Sequence, residues 1–181
     1  MKPHMSEKEI LTLEKYLLKC KIYFEFGCGG STVFASSFSN IEKIYSVESD
    51  ESWIERVKQI SNHKQTTIYY IDINAGEWGH PKDHSKVHNW AKYSSVFDNL
   101  KDCPDVVLVD GRFRVASTIK MYNKLNEGTL LIHDYGRKPY RVVEELYDLV
   151  EQTDTLACFK KKKNMEGVIS EMYEKYKLDV G

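Results

Sequence analysis

Ile22-Tyr23-Phe24-Glu25-Phe26-Gly27-Cys28-Gly29-Gly30-Ser31-Thr32 is an apolar, aromatic run that ends in a carboxylate and then breaks into three glycines within four residues. The run reads as a strand, residues 21–26, and the glycines as a tight turn. A short helix pattern follows at residues 31–37. Glycine turns placed this way often cradle phosphate, but the details here point elsewhere. A Walker loop needs a Lys after its last glycine, and Ser31 follows Gly30. A dinucleotide fingerprint needs a third glycine where Thr32 stands. Glu25, two residues before Gly27, adds a like charge where a pyrophosphate would rest. The turn suits a neutral or cationic ligand that needs close approach of the backbone.

Helix and strand patterns alternate on both sides of this stretch. Residues 6–19 carry Ile10, Leu11, Leu13, Tyr16, Leu17 and Leu18, an amphipathic helix opened by a Ser6 cap with Glu9 three residues on. Strands are expected at 43–47, 66–71, 105–109 and 129–132. Helices are expected at 52–60, 96–100, 115–125 and 140–146, with Trp53 in the core-facing stripe of the first of these. Residues 146–153 and 155–161 read as a closing hairpin, and 167–178 as a terminal helix or tail. Residues 74–93 break the rhythm with two glycines, a proline, three histidines and two tryptophans. They read as a lid or substrate loop in which Trp78, Trp90 and Tyr93 cover a ligand. His80, His84 and His88 share an H-x3-H-x3-H spacing, a weak zinc pattern because Pro81 interrupts it and no cysteine is near.

Alternating strands and helices imply a mainly parallel sheet covered on both faces, with ligands bound beyond the carboxyl ends of its strands. The residues there are Glu25 with the glycine turn, then Glu48-Ser49-Asp50, Asp72, Asp110-Gly111-Arg112, and His133-Asp134-Tyr135-Gly136-Arg137. Each strand delivers an acid to one rim. Those charges would repel one another unless ligand hydroxyls, an amine, a sulfonium or a metal relieved them.

The bulk properties exclude several classes. The 181 residues suit one domain spanning 1–181. A net charge of -1 offers no general attraction to nucleic acid or to an anionic membrane. No stretch is long and apolar enough to span a bilayer, and the start lacks the apolar core of a signal peptide. The four cysteines form no C-x-x-C pair. A cytoplasmic protein with reduced thiols is expected, free of nucleic-acid and membrane partners. The oligomeric state is not written in the sequence, and a homodimer is compatible with it.

The chain resembles the class I S-adenosylmethionine-dependent methyltransferases over residues 6–162. The resemblance rests on "EFGCGGST", Glu48 in "IYSVESDESW", Asp72 in "YYID" and Asp110 in "VVLVDGRFRV", in order and in register. It implies a three-layer Rossmann-like α/β fold, with a mainly parallel seven-stranded sheet and an antiparallel last strand. It implies S-adenosylmethionine as cofactor, held by Glu25, Gly27, Gly29, Gly30, Ser31, Thr32, Glu48, Ser49, Asp72, Ile73, Trp78 and Asp110. Glu25 would draw the cationic part of the cofactor, Glu48 would accept the ribose hydroxyls, and Asp72 would accept from the adenine amine. Ile73 or Trp78 would pack on the adenine face.

"VDGRF" and "IHDYGR" resemble the corresponding strand ends of small-molecule and sugar O-methyltransferases. By that match Asp110 and Asp134 are candidate magnesium or manganese ligands. Two positions depart from the pattern: Tyr135 stands where a third oxygen ligand is usual, and Arg112-Phe113 where a base is usual. His133 and Asp110 are the candidate bases. Arg112, Asp134, Tyr135 and Trp90 are the candidate acceptor contacts, the acceptor being a small molecule or a sugar. Arg112 and Arg114 bind an anionic substrate or pair with the rim acids, and Arg141 reads as a structural partner. The rivals are a nucleotide-dependent dehydrogenase and a non-catalytic protein that keeps the fold.

Overall fold

A computed structural model of the chain describes residues 1–61 and 66–181. In chain order the elements are α1 (Glu7–Leu17), β1 (Ile22–Phe26), α2 (Gly30–Ala35), β2 (Lys43–Glu48), α3 (Glu51–Ile60) and β3 (Thr66–Tyr70). There follow α4 (Val87–Ser95), β4 (Val106–Val109), α5 (Arg114–Met121), β5 (Thr129–Ile132), β6 (Tyr147–Thr153), β7 (Leu156–Lys161) and α6 (Glu166–Tyr176). The strands form one seven-stranded sheet in the order β3-β2-β1-β4-β5-β7-β6. β7 is the antiparallel member, pairing against β5 and β6.

Two core layers follow from the period-two alternation of β1. Phe24 and Phe26 face one side, where Val107 and Val109 of β4 meet Trp90 and Tyr93 of α4, Ile119 and Met121 of α5 and Met172 of α6. Tyr23 faces the other side, with Leu13 and Leu17 of α1, Ala35 of α2 and Leu108 of β4. Glu25 alternates onto the Tyr23 side, a placement that decides its role. The α1 helix starts on the expected capping box: Glu9 N donates to Ser6 Oγ (3.2 Å) and Ser6 N to Glu9 Oε2 (2.8 Å).

Register brings the chemistry together. Phe26 pairs with Val47 and with Val109, and Val109 pairs with Ile132. The residues just past β1, β2, β4 and β5 therefore share one edge. The expected break at 74–93 is real only in its first half. Residues 74–86 hold a short 3-10 turn (Glu77–Gly79) and an isolated bridge between Ala75 and Pro81. From Val87 the chain is helical, and the helix expected at 96–100 is the turn that ends α4. Val87, Trp90, Tyr93 and Ser94 have helical spacing, and the last three are buried. Among the described residues no helix is long and apolar enough to cross a membrane.

Candidate functional site

The turn after β1 is built around backbone contact. Gly27 has φ +93°, and a Cβ there would stand 2.7 Å from Gly111 Cα, in the turn after β4. Its N–H donates to Val47 O at 2.9 Å. Glu25 braces the turn from below. Its carboxylate accepts from Ser31 Oγ and Thr32 Oγ1, from Ser46 Oγ at 3.1 Å and from Tyr23 OH at 3.2 Å. Thr32 Oγ1 in turn accepts from Gly29 N at 2.8 Å. Glu25 is fully buried, and burial pushes its pKa up to about 7 despite the hydroxyl hydrogen bonds.

Above this brace lies a cleft of about 360 Å³. Of the residues expected to hold a ligand, Gly27, Gly29, Gly30, Ser31, Glu48, Ser49, Trp78, Asp110 and Arg112 line it. Glu48 ties its two walls together: Oε2 accepts from Cys28 N (3.1 Å), and Oε1 from Ser49 N (2.6 Å) and Asp50 N (3.1 Å). Burial raises the Glu48 pKa, and these hydrogen bonds work against that rise. Trp53 packs against the small core cluster of Cys28, Ile54 and Val57, as expected of its stripe, and also reaches the ligand side. Half-buried, it lines the cleft and donates from Nε1 to Cys28 O at 2.7 Å. The mouth is bounded by Trp78, 74% exposed, and by His4, their rings 6.1 Å apart. No motif in the sequence signals His4. It arrives because the Lys2–Pro3 backbone lies against Gly30, where a Cβ would meet Lys2 O at 2.0 Å.

On the β4–β5 side Asp110 lines the cleft and His133 stands behind it, with Nδ1 2.9 Å from Asp110 Oδ1. His133 Nε2 faces Glu9 Oε2 at 3.6 Å. Burial alone would lower the His133 pKa, but the Asp110 hydrogen bond and the charges of Asp110, Asp134 and Glu9 hold it above its ordinary value. Glu9 was legible only as a cap. Burial would raise its pKa, and hydrogen bonds from Thr155 and Ser6 together with the His133 charge keep it low. Arg114, almost fully buried, reaches Asp110 Oδ1 at 3.3 Å and Asp134 Oδ2 at 3.2 Å.

The fold recurs in solved structures. The chain matches a methyltransferase-like protein of Silicibacter pomeroyi with a TM-score of 0.83 at 29% identity, covering 98% of this chain and 97% of that one. The N-methyltransferase NodS of Bradyrhizobium japonicum, in complex with S-adenosyl-L-homocysteine, matches with a TM-score of 0.53 at 13% identity over 86% of each chain. An rRNA methylase of Streptococcus thermophilus matches with a TM-score of 0.56 at 13% identity, over 88% of this chain and 99% of that one. The fold is that of the class I S-adenosylmethionine-dependent methyltransferases. No protein-family model and no curated protein sequence matches the chain.

Within this methyltransferase fold several expected ligand contacts lie elsewhere. Glu25 and Thr32 face each other beneath the turn rather than the cleft. Asp72 accepts from Asn74 N (2.9 Å) and pairs with Lys86 (2.9 Å), outside the cleft lining. Ile73 and Trp90 are buried in the core, Trp90 against Phe113 with ring centroids 5.7 Å apart. Tyr135 is fully buried, packs on Phe159 and donates to Glu144 Oε1 at 2.5 Å. Arg141 pairs with the same Glu144 at 2.9 Å, as expected of a structural partner. His80, His84 and His88 share no helix face, because α4 begins at Val87.

Magnesium or manganese does not fit at Asp110 and Asp134. Donor atoms of Asp110, His133 and Asp134 do lie within 4.8 Å of one another. The buried Arg114 guanidinium, a cation, already bridges both carboxylates. His133 spends Nδ1 on Asp110. A hard dication that needs several oxygens would meet a fixed cation instead.

Proposed function

We propose that the protein transfers the methyl group of S-adenosylmethionine to a hydroxyl of a sugar or another small molecule. The observation that carries this reading is the cleft where the glycine turn, Glu48 and Asp110 converge on the carboxyl edge of the sheet. The residues present fit the cofactor. Gly27, Gly29 and Gly30 offer bare backbone to the methionyl part, with Ser31 beside them. Glu48 Oε2, which accepts from Cys28 N, keeps a lone pair for a ribose hydroxyl, Ser49 lies next to that carboxylate, and Trp78 offers an aromatic face for adenine. The cofactor supplies an electrophilic methyl on a cationic sulfur, which the acidic rim favours.

The chain's own residues orient the nucleophile and take its proton. Asp110 reaches the cleft and accepts the acceptor hydroxyl's hydrogen bond. Arg114 and His133 fix that carboxylate, and neutral His133 receives the proton through it. The raised His133 pKa puts the acidic limb of the rate profile above the ordinary histidine value. Glu9→Gln removes one of the charges that raise it, so the limb moves to lower pH. A limb that stays put in this variant would remove Glu9 and His133 from the proton path.

Titration calorimetry with S-adenosylmethionine and NAD tests the cofactor directly. S-adenosylmethionine should bind and NAD should not. Glu48→Ala should weaken binding about 100-fold, or ~2.7 kcal/mol. Binding of NAD alone would replace the reading with a dehydrogenase. Cofactor binding without turnover across hydroxyl and amine acceptor panels would leave a non-catalytic protein.

A further inference from the structure

Arg112 lines the cleft and is only 7% exposed. Its NH1 lies 2.6 Å from His80 Nε2, and among the described residues it has no carboxylate partner. Burial lowers the His80 pKa and the charges of Arg112, Arg137 and Arg114 lower it further, so His80 serves as a neutral acceptor and brings no negative charge.

The neighbouring cations are already matched. Arg114 is held by Asp110 and Asp134, and Arg137 pairs with Asp134 at 3.3 Å. The unmatched charge sits on Arg112, the member of this group that both lines the cleft and lacks a carboxylate. A buried, unpaired charge is costly, and a planar guanidinium is matched best by a carboxylate or phosphate that takes two of its N–H bonds.

We propose that the methyl acceptor carries an anionic group, a carboxylate or a phosphate, held by Arg112 against His80. This rests on the methyltransferase reading. Arg112 lies two residues past Asp110, so one small molecule can place its anion on the guanidinium and its hydroxyl on Asp110. Glu48 and Asp50 also line the cleft and disfavour an anion beside them, which makes Arg112 a specificity determinant as well as an anchor.

The test loads the protein with S-adenosyl-L-homocysteine and titrates it by calorimetry with inorganic phosphate, acetate, glucuronate, glucose 6-phosphate and glucose. An anion should bind at least about tenfold tighter than glucose, and the phosphate and carboxylate arms identify which group is preferred. Arg112→Gln should lose that preference and Arg112→Lys should keep part of it. Both should bind S-adenosyl-L-homocysteine within about twofold of the wild type. Wild-type protein with no anion preference overturns the proposal, and this arm needs no variant to fold. Unchanged anion binding in Arg112→Gln overturns it too. Loss of S-adenosyl-L-homocysteine affinity in that variant would assign Arg112 to the cofactor's own carboxylate and also overturn it, leaving the methyltransferase reading standing. Failure of the wild type to bind S-adenosyl-L-homocysteine removes both.

Discussion

Glu25→Ala, measured at pH 5.5, should lower the unfolding free energy by about 3 kcal/mol, or roughly 6–12 °C in Tm for a chain of this length. The side chain is fully buried and is the shared acceptor for Ser31, Thr32, Ser46 and Tyr23. Alanine leaves those hydroxyls facing an empty, sealed space. Each orphaned donor costs about 1 kcal/mol, partly relieved by rotation to other acceptors, and the cavity adds more. The glycine turn would also lose its underside, so cofactor binding should weaken together with stability.

The same residue sets a pH dependence. Its folded pKa, up to about 7, lies above the ordinary 4.5. A raised folded pKa means that the folded state binds the proton more tightly. The stabilisation is then complete below pH 4.5 and is lost as pH rises through 7, a change of about 3 kcal/mol. Glu25→Gln cannot ionise, so its stability should lack this slope. Denaturant titrations of both proteins between pH 4.5 and 8 check this. A wild-type profile flat from pH 5 to 7 would mean that the carboxylate ionises without penalty, and would sink the argument.

Gly27→Ala is the second large effect. At φ +93° an alanine is strained by about 1–2 kcal/mol, and its methyl would press on Gly111 Cα at 2.7 Å and Gly111 N at 2.8 Å. Neither side can yield easily. Gly27 N is held by Val47 O, and Gly111 is itself confined, since a Cβ there would meet Tyr93 OH at 2.1 Å. Strain and overpacking together predict a loss of roughly 2–4 kcal/mol and at least about tenfold in S-adenosyl-L-homocysteine affinity. Gly136→Ala is the control, with nothing within 4 Å of the added methyl, and should change stability by less than about 0.5 kcal/mol. If the two variants melt together, the contact between the β1 and β4 turns does not limit the fold.

The order and nature of nearly all the elements were legible along the chain, because hydrophobic periodicity and capping are local. The Ser6–Glu9 box, the apolar run of β4 and the strand ends at Glu48 and Asp110 all lie where the pattern put them. The helix α4 was obscured because Gly76, Gly79 and Pro81 lie shortly before its start at Val87. That strand-end acids gather at one edge was legible as well, since a parallel sheet delivers its strand ends there, but Asp72 lies outside the cleft and Glu25 beneath the glycine turn.

What each side chain does at that edge needed the tertiary structure. Glu25 and Glu48 both follow aromatic or β-branched strands, yet the pleat turns Glu25 beneath the glycine turn and leaves Glu48 on the cleft. Asp134 reads as a metal ligand in the sequence, but Arg114, from the first turn of α5, bridges it to Asp110. Glu9 reaches His133 from the first turn of α1, a contact no local pattern encodes. By itself the sequence determined the strand order's raw material and the acidic rim, because both are repeated at short range. Only packing decided which acids meet a ligand, which meet each other, and which cation is left for a ligand to neutralise, because charge pairing depends on distances set between remote segments.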